Sequence, residues 1–192
     1  MDNIFFVQYN VLRRGYLMSK EIANKAILFA LRNEDDSYDK NAKLENLNDG
    51  AGLTFIGLTE KYDESYLKNT HGLTIKQLAE LYQQDRKRTI EIIKDAYYDL
   101  YWAKEFDAIT DEKIAIRLFD LMLNRGRGGL NSILDNAGYK LLTINDNIKK
   151  ENAETVYNNI IIAAEKAYRE LRQFNRFGEG WLKRLKRNVY EI

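Results

Sequence analysis

Residues 33–59 read N-E-D-D-S-Y-D-K-N-A-K-L-E-N-L-N-D-G-A-G-L-T-F-I-G-L-T, and the change of pattern inside this stretch decides the fold. Upstream of it, from Ser19 to Arg32, Ile22, Ala23, Ala26, Ile27, Ala30 and Leu31 recur every three or four positions, the period of an α-helix. Ser19 is a plausible N-cap for that helix. Inside it, Asp49-Gly50 is a turn dipeptide, and Gly52 and Gly57 flank the β-prone run Leu53, Thr54, Phe55 and Ile56. The polar interval 35–48 reads as a loop or as the outer part of a small hairpin.

Two carboxylates bracket this transition. If the helical period continues, Glu34 falls four residues after Ala30 and seven after Ile27, on the same face. A carboxyl on a core-facing stripe is partly desolvated, which disfavours its charged form and suits it to act as a general acid. If the helix stops earlier, Glu34 sits in solvent with Asp35, Asp36 and Asp39. Asp49, at the head of the glycine-rich turn, is the second acid, and Thr54 brings a hydroxyl to the same neighbourhood. Paired carboxyl groups on one cleft are the equipment of glycoside hydrolysis.

Composition narrows the rest. A chain of 192 residues suits one domain with a single core, and nothing like a linker or a repeat interrupts it. Lys+Arg number 30 against 29 Asp+Glu, which argues against a chain-wide nucleic-acid surface. There is no cysteine and one histidine, His71, so disulfides, thiolate metal sites and multi-histidine zinc sites are excluded. His71 reads as a loop residue ahead of a helix, with no nucleophile motif beside it. No run approaches the ~20 apolar residues of a membrane span, and the opening I-F-F-V-Q-Y-N-V-L-R-R-G lacks the layout of a signal peptide. Residues 1–18 read as a strand or hairpin arm, or as an extension ahead of Met18.

The remainder of the chain is helical in pattern. Thr74-x-x-Gln77 is a capping box, so a helix begins at Ile75; whether one helix or two fill the chain to Trp102 stays open. Arg86, Lys87 and Arg88 read as a solvated face. Thr110 or Asp111 caps a helix with the stripe Ile114, Ala115, Leu118, Phe119, Met122 and Leu123, ending at Asn124-Arg125-Gly126. The G-R-G-G segment lacks a following G-K-[ST] and reads as a turn between helices, with a short helix from Leu130 to Asn136. The longest helix is expected from Ala153 to Phe174, then a turn over Asn175–Gly180, then a closing helix with Trp181, Leu182, Leu185 and Val189 inward. Its charges, Lys183, Arg184, Lys186 and Arg187, read as a solvated face. Asp120 reads as a polar-border residue that holds a helix end.

The order of these residues resembles the peptidoglycan-cleaving lysozymes of glycoside hydrolase family 108, with an E-G-G-Y helix end followed by D-x-G-G-x-T-x-x-G-I-T. Glu34 falls on the family's glutamate, and Tyr38 lies one residue beyond its tyrosine. Asp49, Gly52, Thr54, Gly57 and Thr59 match the second motif, with Ala51 for a glycine and Leu58 for isoleucine. Asp35-Asp36 stands where the family has two glycines. Tyr101-Trp102, Leu118-Phe119-Asp120 with Asn124 and Gly126, and Gly180-Trp181-Leu182 with Arg184 match further motifs in order. Ile144–Ile148 replaces a D-G-x-[IV]-G loop of the family.

The resemblance implies a mainly α, lysozyme-like fold with a small β-hairpin lobe beside the cleft, and cleavage of the β-1,4 bond between N-acetylmuramic acid and N-acetylglucosamine. It makes Glu34 the general acid, Asp49 the base or electrostatic stabiliser, and Thr54 the residue that holds Asp49 or the attacking water. Tyr38, Gly52, Gly57, Tyr101, Trp102 and Asn124 become substrate-binding residues, although by residue type Trp102 and Trp181 are more often core than sugar platforms. The resemblance implies no cofactor, no metal, no nucleic-acid partner and no membrane insertion. It implies a monomer acting on peptidoglycan glycan strands in the cell wall, reached through a holin or another release route. A wall-binding protein without catalysis, or a lytic transglycosylase, are the alternatives on the same fold.

Overall fold

The computed structural model describes residues 20–33, 42–48 and 50–190. Glu34, Tyr38, Asp49, the Asp35-Asp36 pair, the Ser19 cap and the segment 1–18 lie outside the described residues. The described chain is mainly helical with one small three-stranded antiparallel sheet. It groups into two compact units: Ala30–Trp102 in one, and Ala103 onward with the described residues up to Phe29 in the other.

Helix α1 spans 20–33, and Ala23, Ala26, Ile27, Ala30 and Leu31 are all buried, the face that the apolar spacing predicts. In the unit Ala30–Trp102, strands β1 (Glu45–Asn46), β2 (Leu53–Phe55) and β3 (Leu58–Thr59) lie in the order β1-β2-β3. The turn between β2 and β3 is Ile56-Gly57, with φ of 43° and 71°. Two positive φ values are what a two-residue hairpin turn matching the strand twist requires. Glycine takes that geometry freely; a β-branched isoleucine does so at a cost of about 1–3 kcal/mol. Burial of the Ile56 side chain and a 2.9 Å hydrogen bond from the Tyr97 hydroxyl to the Ile56 carbonyl hold it there.

Three helices follow: α2 (Glu64–His71), α3 (Ile75–Gln84) and α4 (Arg86–Tyr101). The expected loop around His71 is corrected here, since His71 is the last residue of α2, which Gly72 closes in left-handed geometry. The capping box forms as the sequence predicts: Thr74 Oγ1 accepts from the Gln77 N–H, and Gln77 Oε1 accepts from the Thr74 N–H. Two helices, not one, fill the chain to Trp102. Asp85 makes the break, because its N–H donates to the Leu81 carbonyl at the end of α3 while its carboxylate accepts from the Arg88 N–H at the start of α4. Phe55, Leu58, Leu67, Ile75, Leu78, Ile93, Ala96 and Tyr97 form the core, with Phe55 edge-on to Tyr82 at 5.4 Å.

In the other unit, a 3-10 turn (Lys104–Ala108) precedes α5 (Glu112–Asn136), followed by α6 (Ile144–Glu151), α7 (Ala153–Arg169) and α8 (Phe174–Lys186). Asp111, not Thr110, caps α5 by accepting from the Ile114 N–H; the Thr110 hydroxyl donates instead to Asn145 Oδ1. Every residue from Ile114 to Met122 is buried, which makes this segment a helix enclosed on all sides rather than an amphipathic one. Gly126 departs from helical geometry (φ 64°, ψ 175°), so the expected stop is a kink, and the helix resumes at once.

Three further expectations are corrected. Ile144–Ile148 is not a loop but the first part of α6, and Asn152 both ends α6 and caps α7 by accepting from the Thr155 N–H. Helix α7 stops at Arg169, five residues before the expected Phe174, and α5 with its kink is the longer helix. The expected turn over Asn175–Gly180 is helical: the Phe174 ring lies where a side chain on Gly178 would stand, 2.5 Å from its ideal Cβ position. Gly178 serves close packing rather than chain reversal.

Candidate active site

Of the sequence-predicted site, the structure describes Gly52, Thr54 and Gly57 on the hairpin, and Tyr101, Trp102 and Asn124 outside it. Thr54 pairs with Glu45 on one side and Thr59 on the other, while Phe55 pairs with Leu58. Successive strand residues point to opposite faces, so buried Phe55 and Leu58 line the core face and Glu45, Thr54 and Thr59 form a polar row on the other. Sequence reasoning missed Glu45, although the period-two alternation that places it beside Thr54 becomes available once the pairing register is known.

Gly52 is close to Glu60. A Cβ on Gly52 would lie 2.5 Å from Glu60 Oε2, and that oxygen accepts from the Leu53 N–H at 2.8 Å. The ladder also runs past the strand end, with the Glu60 N–H donating to the Leu53 carbonyl and the Lys61 N–H to Ala51. Gly57 occupies the turn already described.

A second unforeseen carboxylate, Asp63, anchors the base of the hairpin. It is 2% exposed, and its Oδ2 accepts from the Thr59 N–H at 2.7 Å and the Thr59 hydroxyl at 3.0 Å. Its Oδ1 accepts from the Tyr101 hydroxyl. Asp63 stands at the N-cap position of α2 but makes no side-chain cap there, because its carboxylate is turned onto the hairpin. Tyr101 is therefore brought to the hairpin through Asp63, with its hydroxyl engaged. Trp102, the C-cap of α4, is 9% exposed and packs inward. Tyr62, one residue before Asp63, is 65% exposed with the Lys61 ammonium 5.0 Å from its ring.

Two further groups in this unit have shifted titration. The Tyr66 hydroxyl donates to Asp99 at 2.6 Å, and burial, reinforced by that carboxylate, pushes it up to about 12. The Lys68 ammonium beside Glu64, with the Ile75 N–H on the same carboxylate, lowers Glu64 from the usual range. Glu64 thus joins the first turn of α2 to the start of α3.

Asn124 lies in the other unit, half-buried in α5 two residues before the kink. That unit holds a buried ionic cluster. Arg117 is fully buried; its guanidinium reaches Asp120 Oδ2 at 3.1 Å and donates to the Arg184 carbonyl at 3.3 Å and the Arg187 carbonyl at 2.7 Å. Arg184 Nε donates to the other Asp120 oxygen at 2.9 Å, and its Nη2 lies 2.8 Å from the same oxygen as an ion pair. The Tyr157 hydroxyl accepts from Arg117 at 3.3 Å, and the Phe29 ring lies 5.1 Å from its guanidinium carbon. The excess positive charge faces carbonyls at the C-terminal end of α8, the negative end of that helix's dipole. These positions correct two expectations: Asp120 is at the centre of a buried cluster rather than a polar border, and Arg184 is not on a solvated face. Nearby, burial pushes Tyr168 up to about 12, and its ring stacks on Trp181 at 5.4 Å.

No family model, no curated protein and no solved structure matches this chain. Among the described residues, no helix is long and apolar enough to cross a membrane.

Proposed function

We propose that this protein is a peptidoglycan hydrolase with a lysozyme-like fold, an N-acetylmuramidase related to glycoside hydrolase family 108. The observation that carries the reading is the hairpin. The stretch that resembles the family's D-x-G-G-x-T-x-x-G-I-T is folded as strand, tight turn and strand, with Thr54 on the face away from the core. A mainly helical chain with one small sheet suits the same reading. In it Glu34 protonates the glycosidic oxygen as that bond breaks, and Asp49 bears on the positive charge that develops at the anomeric carbon. Tyr38, Gly52, Gly57 and Tyr101 contribute to holding the glycan, Tyr101 by fixing the hairpin base through Asp63. The protein acts as a monomer on the wall after release through a holin-type route.

The test is digestion of purified peptidoglycan by the wild type and by Glu34→Gln, with products identified by mass spectrometry. Reducing-end muramic acid from the wild type and none from the variant is the expected result. Anhydro-muramic ends would assign a lytic transglycosylase instead. The Asp35-Asp36 pair, which replaces two family glycines, favours one second reading, a wall-binding protein without turnover. Binding to the wall with no product from either protein would establish it.

A further inference from the structure

Resting on the hydrolase reading, we infer that the carboxylate serving the attacking water is Glu45, the residue that strand register sets directly across from Thr54. Glu45 and Thr54 are paired positions of β1 and β2. Side chains at such positions share a sheet face, with Cβ atoms ~4.5–5.5 Å apart. That spacing lets a hydroxyl and a carboxylate hold one water between them. The face is the one opposite Phe55 and Leu58, and Glu45 is exposed on it.

The other described carboxylates beside the hairpin are committed elsewhere. Glu60 Oε2 accepts from the Leu53 N–H, and its side chain fills the space over Gly52. Asp63 is buried and takes three donors from Thr59 and Tyr101. Glu45 alone among these three lies in the Thr54 row.

The step balances as an inverting hydrolysis. Water held by Thr54 and Glu45 gives a proton to the Glu45 carboxylate as its oxygen bonds to the anomeric carbon. The bond from that carbon to the glycosidic oxygen breaks, its electron pair staying on the oxygen, which takes the Glu34 proton. Solvent then returns the proton from Glu45 to Glu34. Asp49 keeps the electrostatic role.

The experiment compares Glu45→Ala, Asp49→Ala and the wild type on peptidoglycan, with and without sodium azide. Azide needs no base, so it replaces water when only the base is missing. The expected result is a loss of 100-fold or more in kcat for Glu45→Ala, on the order of a general-base contribution. Azide should restore turnover and yield a glycosyl azide of inverted configuration. A purely structural role at Glu45 gives no such rescue, and Glu45→Ala that keeps wild-type kcat overturns the inference. So does azide rescue confined to Asp49→Ala. A wild type that releases no reducing ends fails at the hydrolase reading itself, which separates the two failures. Circular dichroism of Glu45→Ala checks that the exposed substitution leaves the fold intact.

Discussion

The two units are held by opposite means. In Ala30–Trp102 the hairpin is secured by single hydrogen bonds between side chains and its own backbone: Tyr97 donates to the Ile56 carbonyl, Glu60 accepts from the Leu53 N–H, and Asp63 accepts from the Thr59 N–H. In the helical unit, one buried network of Arg117, Asp120 and Arg184 joins α5 to α8 and contacts Tyr157 of α7. The first arrangement fixes a short, strained turn in a defined place and spreads the cost over several weak contacts. The second concentrates desolvated charge, so that any one partner removed leaves another buried and uncompensated. The hairpin is built for position, the cluster for all-or-none assembly.

The comparison breaks most sharply at Asp120. Asp120→Ala leaves two buried guanidinium groups facing each other, and an equilibrium urea titration should show a loss of about 3–5 kcal/mol. A loss under about 1 kcal/mol would mean that the helix-end carbonyls suffice and the network is not cooperative. Next comes Gly57→Val, which forces a β-branched residue to φ 71° and should cost about 1–3 kcal/mol. Amide exchange should accelerate over residues 53–59 while the helical unit keeps its protection. Uniform acceleration would remove the distinction drawn between the units. Thr74→Ala removes one half of the capping box and should cost about 1 kcal/mol.

The smallest effect is a pH dependence. Glu64 is held below its ordinary value of 4.5 in the folded chain, so its contribution is present above that pH and is lost as pH falls through the lowered folded value. The stability gap between wild type and Glu64→Gln should therefore shrink in acid. A gap unchanged down to pH 2 would show that the contacts with Lys68 and Ile75 do not distinguish the charged form.

What the sequence made legible was local. The apolar period of α1, the Thr74 capping box and the glycine at the hairpin turn each announce themselves within a few residues, and each forms. What it hid depends on partners far along the chain. Asp120 reads as a border residue until Arg184, 64 positions later, is seen to bond it. Gly178 reads as punctuation because a turn and a close helix contact demand the same missing side chain. The place of Glu45 beside Thr54 is invisible until register is known, since a shift of one residue would turn it to the other face. The motif singles out Thr54, Gly52 and Gly57, and the structure adds which neighbours they have.

The Arg117 side chain bonds the carbonyl of Arg187, 70 residues later. During synthesis, therefore, α5 with its own Asp120 partner is complete before the last carbonyl that Arg117 bonds exists. At about 5–20 residues per second the ribosome needs several seconds to supply it. If the cluster closes only as a whole, the helical unit closes when the end of α8 and its C-cap Arg187 have been made. Chains shortened ahead of Arg187 should then accumulate as chaperone-bound species rather than as weakened folded ones, a difference that pulse labelling in cells would read directly.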